Sequence, residues 1–201
     1  VSGTSTLQVG STNTTTITLG ASGDTVDVPS GATFDATGAT ITGITQGITL
    51  ADQWHVTAAV TDIAANTDTV ITNWTQDGYG EDGRIGTMSE SSGIFTFPST
   101  GIYLVELALT YYYQSAASNY NYARLQITTN NSSYNTRAET TNFTRAAENY
   151  ITTSPVSIII DVTDTSNVKV RPVAHVRNAG TDLEGGSIVR SYIKFIRLGD
   201  T

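Results

Sequence analysis

From Tyr103 to Tyr113 the chain alternates with a period of two. Tyr103, Val105, Leu107, Leu109, Tyr111 and Tyr113 fall on one side of an extended strand, and Leu104, Glu106, Ala108, Thr110 and Tyr112 on the other. A helix would scatter these side chains around its circumference, so the segment is a strand, and the odd-numbered set is its core face. Val156, Ile158, Ile160 and Val162 repeat the pattern, as do Val168, Val170, Pro172, Ala174 and Val176. Threonine makes up roughly a sixth of the residues, with much Val, Ile and Tyr; β-branched and aromatic side chains suit a pleated surface better than a helix interior. Strand candidates run near 53–59, 69–74, 84–88, 93–97, 101–112, 120–129, 134–144, 150–162, 167–176 and 187–198, between loops rich in Asn, Ser, Gly and Asp. These ten predict an all-β fold, a ten-stranded jelly-roll β-sandwich.

Charge and composition exclude several classes. Ten basic against eighteen acidic side chains give a net charge of -8 with no basic run, which argues against a binder of nucleic-acid backbones. With no cysteine there is neither a disulfide framework nor a thiolate metal site. The apolar stretches Gly101–Tyr113 and Val156–Val162 are broken by Glu106 and Asp161 and fall short of the ~20 residues of a spanning helix, so no membrane insertion is expected. The chain starts at Val1 without a signal-like stretch, the pattern expected of a processed chain or a piece of a longer one whose anchoring segment is missing.

The first 48 residues differ from the rest. Thr6-Leu7-Gln8-Val9-Gly10, Thr16-Ile17-Thr18-Leu19-Gly20, Thr25-Val26-Asp27-Val28, Thr33-Phe34-Asp35-Ala36 and Thr40-Ile41-Thr42-Gly43 repeat one short strand-and-turn phrase. Each repeat carries about two apolar side chains, too few to offset an ordering cost of roughly 1–2 kcal/mol per residue. Three chains wound about one axis would bury Leu7, Val9, Ile17, Leu19, Val26, Val28, Phe34 and Ile41 together and leave Thr, Asn and Asp in water. The segment resembles the short-strand repeats of trimeric viral and phage fibre shafts. Residues 1–48 are therefore expected to be a repetitive β shaft or linker, and 49–201 the jelly-roll head.

Within the head, Gly93-Ile94-Phe95-Thr96-Phe97-Pro98-Ser99-Thr100-Gly101-Ile102-Tyr103 resembles the G-x-F-x-x-P-x-x-G-x-Y signature of the tumour-necrosis-factor and complement-globular-head superfamily. Gly101 permits a tight turn, Pro98 fixes the approach, and Phe95 and Tyr103 point inward from consecutive strands. Asn73-Trp74, Asn167-Val168-Lys169-Val170 and Ser191-Tyr192-Ile193-Lys194-Phe195-Ile196-Arg197-Leu198 fall where that family has strands. The closing strand departs from its pattern, with Ile193 where an aromatic is common and Phe195 where glycine is common. The resemblance implies a ten-stranded jelly roll assembled as a compact homotrimer.

Motifs for chemistry are sparse. Gly78-Tyr79-Gly80-Glu81-Asp82-Gly83 spells G-x-G-x-x-G but lacks a strand-to-helix setting, and its carboxylates would repel a pyrophosphate. Asp77, Glu81 and Asp82 offer oxygens to Ca²⁺ without the alternating spacing of a calcium loop, and a solvated acidic loop is the simpler reading. His55 and His175 stand outside any metal or nucleophile motif and read as structural. Among Glu106, Glu139, Glu148, Asp161 and Glu184 nothing selects a glycosidase pair. The sequons at Asn13, Asn73, Asn131 and Asn142 are what an Asn- and Thr-rich chain produces by chance. Neither a cofactor nor a resident metal is expected.

These readings converge on a non-enzymatic virion-surface protein: a homotrimeric phage fibre or spike whose head binds a host-surface glycan or protein or decorates a capsid, joined to other virion proteins through an N-terminal anchor. The alternatives are a fibre-borne glycan depolymerase and a bacterial surface or spore-coat adhesin; the latter normally has a collagen-like stalk, absent here. The threefold seam is expected on Glu106, Ala108, Thr110, Tyr112, Tyr192 and Lys194, where three copies of Glu106 would need cationic partners. Counting hairpins puts the loops 113–120, 145–150 and 177–187 at the end away from the head's termini, with Tyr113, Asn119, Tyr120, Arg177, Asn178, Asp182 and Glu184 as receptor contacts. For the shaft, Phe34→Asp or Val26→Asp should make the first fifty residues protease-sensitive while the head trimer persists, since one charge per chain becomes three about an axis; unchanged protease resistance would rule out an intertwined shaft.

Overall fold

The computed structural model describes residues 19–37, 47–76, 83–113, 118–145 and 151–201. The chain divides into two units, Val1–Ile44 and Thr45–Thr201. In the first, residues 19–37 form turns rather than strands. Asp24 closes one turn on Ala21, its amide donating to the Ala21 carbonyl at 3.0 Å and its carboxylate accepting the Ala21 amide at 2.7 Å. Leu19, Val26, Val28 and Phe34 are exposed, Phe34 by 71%; a single copy of this repeat supplies neither a ladder partner nor a core. Leu7, Val9, Ile17 and Ile41 lie outside the described residues.

The second unit is a two-layer all-β sandwich. Its strands are β1 (Ala51–Val56), β2 (Asp68–Val70), β3 (Trp74–Gln76), β4 (Ser89–Ser91), β5 (Ile94–Thr96), β6 (Gly101–Tyr113), β7 (Ser118–Thr128), β8 (Asn135–Thr144), β9 (Ile151–Val162), β10 (Lys169–Val176), β11 (Thr181–Leu183) and β12 (Tyr192–Gly199). In the first sheet β6 pairs with β9 along one side and with β12 and then β11 along the other, and β12 leads on to β1 and β3. The second sheet runs β4-β5-β10-β7-β8, with β2 beside β10. All these pairings are antiparallel. Tyr103, Val105, Leu107, Leu109 and Tyr111 of β6 are fully buried, as the odd-face reading requires.

Aromatic rings lock the layers together. Phe95, on the second sheet, meets Trp54 and Trp74 edge-on at 5.5 and 5.8 Å and Phe195 at 5.1 Å, all three on the first. Phe97 continues the cluster to Tyr103 at 4.6 Å. The Tyr103 hydroxyl donates to the Ser99 carbonyl at 2.9 Å, which satisfies its polar end. Two glycines are required by geometry. Ser92 and Gly93, both at positive φ (54° and 80°), make the two-residue turn between β4 and β5, and a Cβ on Gly93 would lie 2.4 Å from the Ile71 carbonyl. At Gly101 a Cβ would lie 2.6 Å from both Arg197 Nε and the Gly199 carbonyl, so this residue serves the close approach of β12 rather than a tight turn.

The described residues hold twelve strands, not ten. The candidate at 69–74 splits between the two sheets as β2 and β3. The candidate at 84–88 forms only a single bridge, Ile85 exchanging backbone hydrogen bonds with Ala51 at 2.8 and 3.0 Å, while the Met88 amide goes to the buried Asp52 carboxylate at 2.7 Å, which also takes Trp54 Nε1 at 2.9 Å and Gln76 Nε2 at 3.0 Å; β4 begins one residue beyond the candidate. The expected loop at 177–187 contains β11. Phe95→Ala should cost ~3–5 kcal/mol, the usual loss for a buried phenylalanine, read as a lower midpoint in urea unfolding; a loss under ~1 kcal/mol would show that the ring cluster does not hold the layers together.

Candidate functional site

The outward face of the first sheet is the most distinctive surface of the second unit. Pairing register brings the even residues of β6 together with Ile151, Pro155 and Ile159 of β9 and with Tyr192, Lys194 and Ile196 of β12. Ile102, Leu104, Ile159 and Ile196 make an apolar field at one end, with Ile159 63% exposed. Beside it Glu106 accepts a hydrogen bond from the Tyr192 hydroxyl at 2.9 Å and pairs with Lys194 Nζ at 3.3 Å, while the ammonium lies 4.3 Å from the Tyr192 ring centre. The cationic partner that Glu106 needs thus comes from its own chain. Burial, the hydrogen bond to Glu106 and the Glu106 charge together push the Tyr192 phenol up to about 12.

Four of the six expected seam residues, Glu106, Tyr112, Tyr192 and Lys194, are partly exposed on this face. Ala108 and Thr110 are not available to another copy. Ala108 is fully covered and Thr110 is 5% exposed, because the segment before β12 folds over them: Thr110 Oγ1 lies 2.7 Å from both the Arg190 carbonyl and Thr153 Oγ1, and the Thr110 amide donates to Ser191 Oγ at 3.0 Å. The apolar part of this face is centred on Leu104 and Ile159, neither of which is among the expected seam residues; alternation in β9 marks Ile159 as an outward isoleucine.

Hydrogen bonds assign the loop ends. Leu50, where the unit begins, accepts the Arg197 amide at 2.9 Å, and Arg197 Nε reaches the Thr100 carbonyl at 3.1 Å; the Asn131 amide reaches Asn167 at the same end. At the other end the Arg177 amide donates to Tyr120 at 3.2 Å, and Thr144 and Thr181 hydroxyls meet at 3.3 Å. Tyr113 closes β6 and Asn119 lies in β7 at this end. Tyr120 and Asn178 are partly exposed and Arg177 is exposed. Asp182 departs from the expectation. It is 5% exposed within β11, its Oδ1 has no partner, and burial raises its pKa, a backbone hydrogen bond from Asp62 opposing. Its strand pairs with Tyr111–Tyr113 on one side, and the Val60–Asp62 segment lies against the other, Val60 and Leu183 exchanging backbone hydrogen bonds at 2.9 and 3.0 Å and the Asp62 backbone bonding the Asp182 carboxylate. Glu184 is held by Arg190 at 2.6 Å.

The carboxylates considered for glycoside chemistry do not converge. Glu106 lies on the outward face of the first sheet and Glu139 on the second, 2.9 Å from Arg124. Asp161 borders a groove of about 280 Å³ beside Arg137 and Ile158, and Glu148 falls outside the described residues, as do Asp77, Glu81 and Asp82. His55 is buried, and His175 Nδ1 lies 2.9 Å from Asp68.

No protein-family model matches the sequence, and no curated protein matches it. Solved structures do. Murine APRIL is similar over 74% of this chain and 98% of its own, with 11% identity and a TM-score of 0.53. Eiger TNF from S. frugiperda is similar over 78% of this chain and 96% of its own, with 14% identity and a TM-score of 0.52. At such identities the likeness establishes the fold, a tumour-necrosis-factor-like jelly roll, and leaves ligand and activity to be argued from the site.

The raised Tyr192 phenol has a pH consequence. Between the ordinary ~10 of a tyrosine and about 12 the folded chain keeps a proton that the unfolded chain releases. This contribution to stability is complete below pH ~10 and is lost as pH rises through the folded value. Phenolate absorbance of the native protein should show one tyrosine ionising near about 12 that disappears in Tyr192→Phe; a Tyr192 phenolate forming near ~10 would contradict the Glu106 contact.

Proposed function

We propose that this chain is a non-enzymatic structural and adhesion protein of a virion surface, a homotrimeric phage fibre or spike in which residues 1–48 form a β-repeat shaft and 49–201 the jelly-roll head. The head serves host-surface binding or capsid decoration, and other virion proteins hold the fibre through an N-terminal anchor. The observation that carries self-association is the apolar outward face of the first sheet. On a monomer Ile159 is 63% exposed and Ile102, Leu104 and Ile196 are partly exposed beside it, and contiguous apolar patches of this kind mark association surfaces. Their occupant is a second copy of the same face or its edge: Glu106 and Lys194 neutralise each other within the chain, so the centre of the face carries no unmatched charge, and the exposed Asp161, opposite Ile102, is left at the rim of the interface. The exposed apolar side chains of the described repeat, Leu19, Val26, Val28 and Phe34, call for the same remedy. The TNF-like fold adds support by analogy.

Sedimentation at micromolar concentration tests this. The expected species has three times the 21.3 kDa chain mass, and Leu104→Asp should release monomers with an unchanged β circular-dichroism spectrum, because each interface would receive a carboxylate in an apolar setting. A wild-type monomer overturns the reading.

A further inference from the structure

The outward face of the second sheet has the opposite character. Alternation along β7 places Tyr120, Tyr122, Arg124 and Gln126 on it, and alternation along β10 adds Lys169, Arg171 and His175. Arg177, just beyond β10, joins them. Each ring carries a cation: the Arg177 guanidinium lies 5.6 Å from the Tyr120 ring centre, Arg124 4.5 Å from Tyr122, and Arg171 4.1 Å from Tyr134. The rings of Tyr120 and Tyr122 meet edge-on at 5.3 Å, and His175 closes on Tyr122 at 5.5 Å.

Charge is concentrated here against the trend of the chain. Of ten basic residues in a molecule of net charge -8, four share this face: Arg124, Lys169, Arg171 and Arg177. Arg124 is neutralised by Asp68 at 2.5 Å and Glu139 at 2.9 Å. Arg171 bonds the neutral Gln126 at 2.8 Å and Arg177 the neutral Asn66 at 3.2 Å; these two and Lys169 have no carboxylate partner among the described residues. From Tyr120 to Gln126 the strip extends about 20 Å at the usual rise per strand residue, a length suited to a linear polymer rather than a small molecule.

We propose that this face binds an acidic polysaccharide, its carboxylate or sulfate groups taken by Arg171, Arg177 and Lys169 and its sugar rings lying against Tyr120, Tyr122 and Tyr134. A guanidinium fork matches a planar carboxylate or a sulfate edge. The cation–ring contacts hold the forks in place before binding, which lowers the ordering cost. A polyanion approaching a chain of net negative charge needs such a local positive surface to overcome long-range repulsion. The inference deepens the adhesion reading by naming its ligand class, and it rests on that reading.

The test is retention of the full chain on immobilised polygalacturonate, dextran sulfate and neutral dextran at low ionic strength. Retention on either polyanion, released by salt, with none on neutral dextran, is expected; the two polyanions separate carboxylated from sulfated ligands. Arg171→Ala with Arg177→Ala should weaken binding by about tenfold for each charge-assisted bond lost, and Lys169→Glu should weaken it without touching either ring contact. No retention on both polyanions, undiminished retention of both variants, or equal retention on an immobilised oligonucleotide overturns the proposal. Sedimentation of the same samples separates the two readings: a trimer without retention removes the glycan face alone, and a retained monomer removes the trimeric assembly alone.

Discussion

Strand β6 carries apolar side chains on both of its faces, and the pleat of a strand lets only one of them into the core of a two-layer sandwich. Tyr103, Val105, Leu107, Leu109 and Tyr111 go inward and are fully buried. Ile102 and Leu104 are forced outward beside Ile159 and Ile196. A one-residue slip would exchange the faces and put Glu106 in the core, so register is strongly specified. The chain thus has a core that is complete and a second apolar surface that is not, and the proposed association would answer the second without altering the first. Near Ala108 and Thr110 the chain supplies its own cover, through Arg190, Ser191 and Thr153, which confines the open surface to the opposite half of β6.

The signature around Phe95 works because it joins the two layers at one place. Ser92 and Gly93 turn the chain so that Phe95 enters from the second sheet among Trp54, Trp74 and Phe195 of the first, and Phe97 and Tyr103 carry the contact across the crossing between layers. Gly101 then leaves space for Arg197, whose guanidinium reaches back to Thr100 and to Asp200 at 2.5 Å. The phrase thereby fixes a sheet crossing and the approach of the last strand together, which explains why a short motif predicts an entire jelly roll.

Period-two alternation was enough to read the long strands and the inward faces of β6, β9 and β10. Features set by partners distant in sequence were not legible. Asp52 takes the Met88 amide across 36 residues of sequence, and the expected strand is reduced to a single bridge between Ile85 and Ala51, which no local pattern announces. Asp182 sits in a three-residue strand too short to show periodicity, so it read as an exposed loop carboxylate although it is 5% exposed, with the Val60–Asp62 segment against it. Thr110 and Ala108 followed the correct parity and still misled, because parity assigns a face but not what folds across it. The tyrosine and arginine strip on β7 and β10 was legible in principle: Tyr120, Tyr122, Arg124 and Gln126 alternate as cleanly as any core strand, but with polar residues on the counted face.

The two outward faces divide the chemistry of the molecule. The first sheet presents aliphatic side chains around one internally neutralised pair, Glu106 and Lys194, with Asp161 at its margin, a surface suited to copies of itself. The second presents guanidinium groups stacked on phenol rings, a surface that self-association would desolvate at high cost. If three copies close through the first sheet, each second sheet is left outward and the cationic strips are repeated around the axis. Binding to a repeating polyanion then becomes multivalent: once one strip is engaged, the next finds sulfate or carboxylate groups at an effective concentration set by the spacing of the copies. Weak contact at a single strip, with Arg171 and Arg177 already partly satisfied by tyrosine rings, is therefore compatible with firm attachment of the assembly, and the oligomeric state becomes part of the recognition rather than only its scaffold.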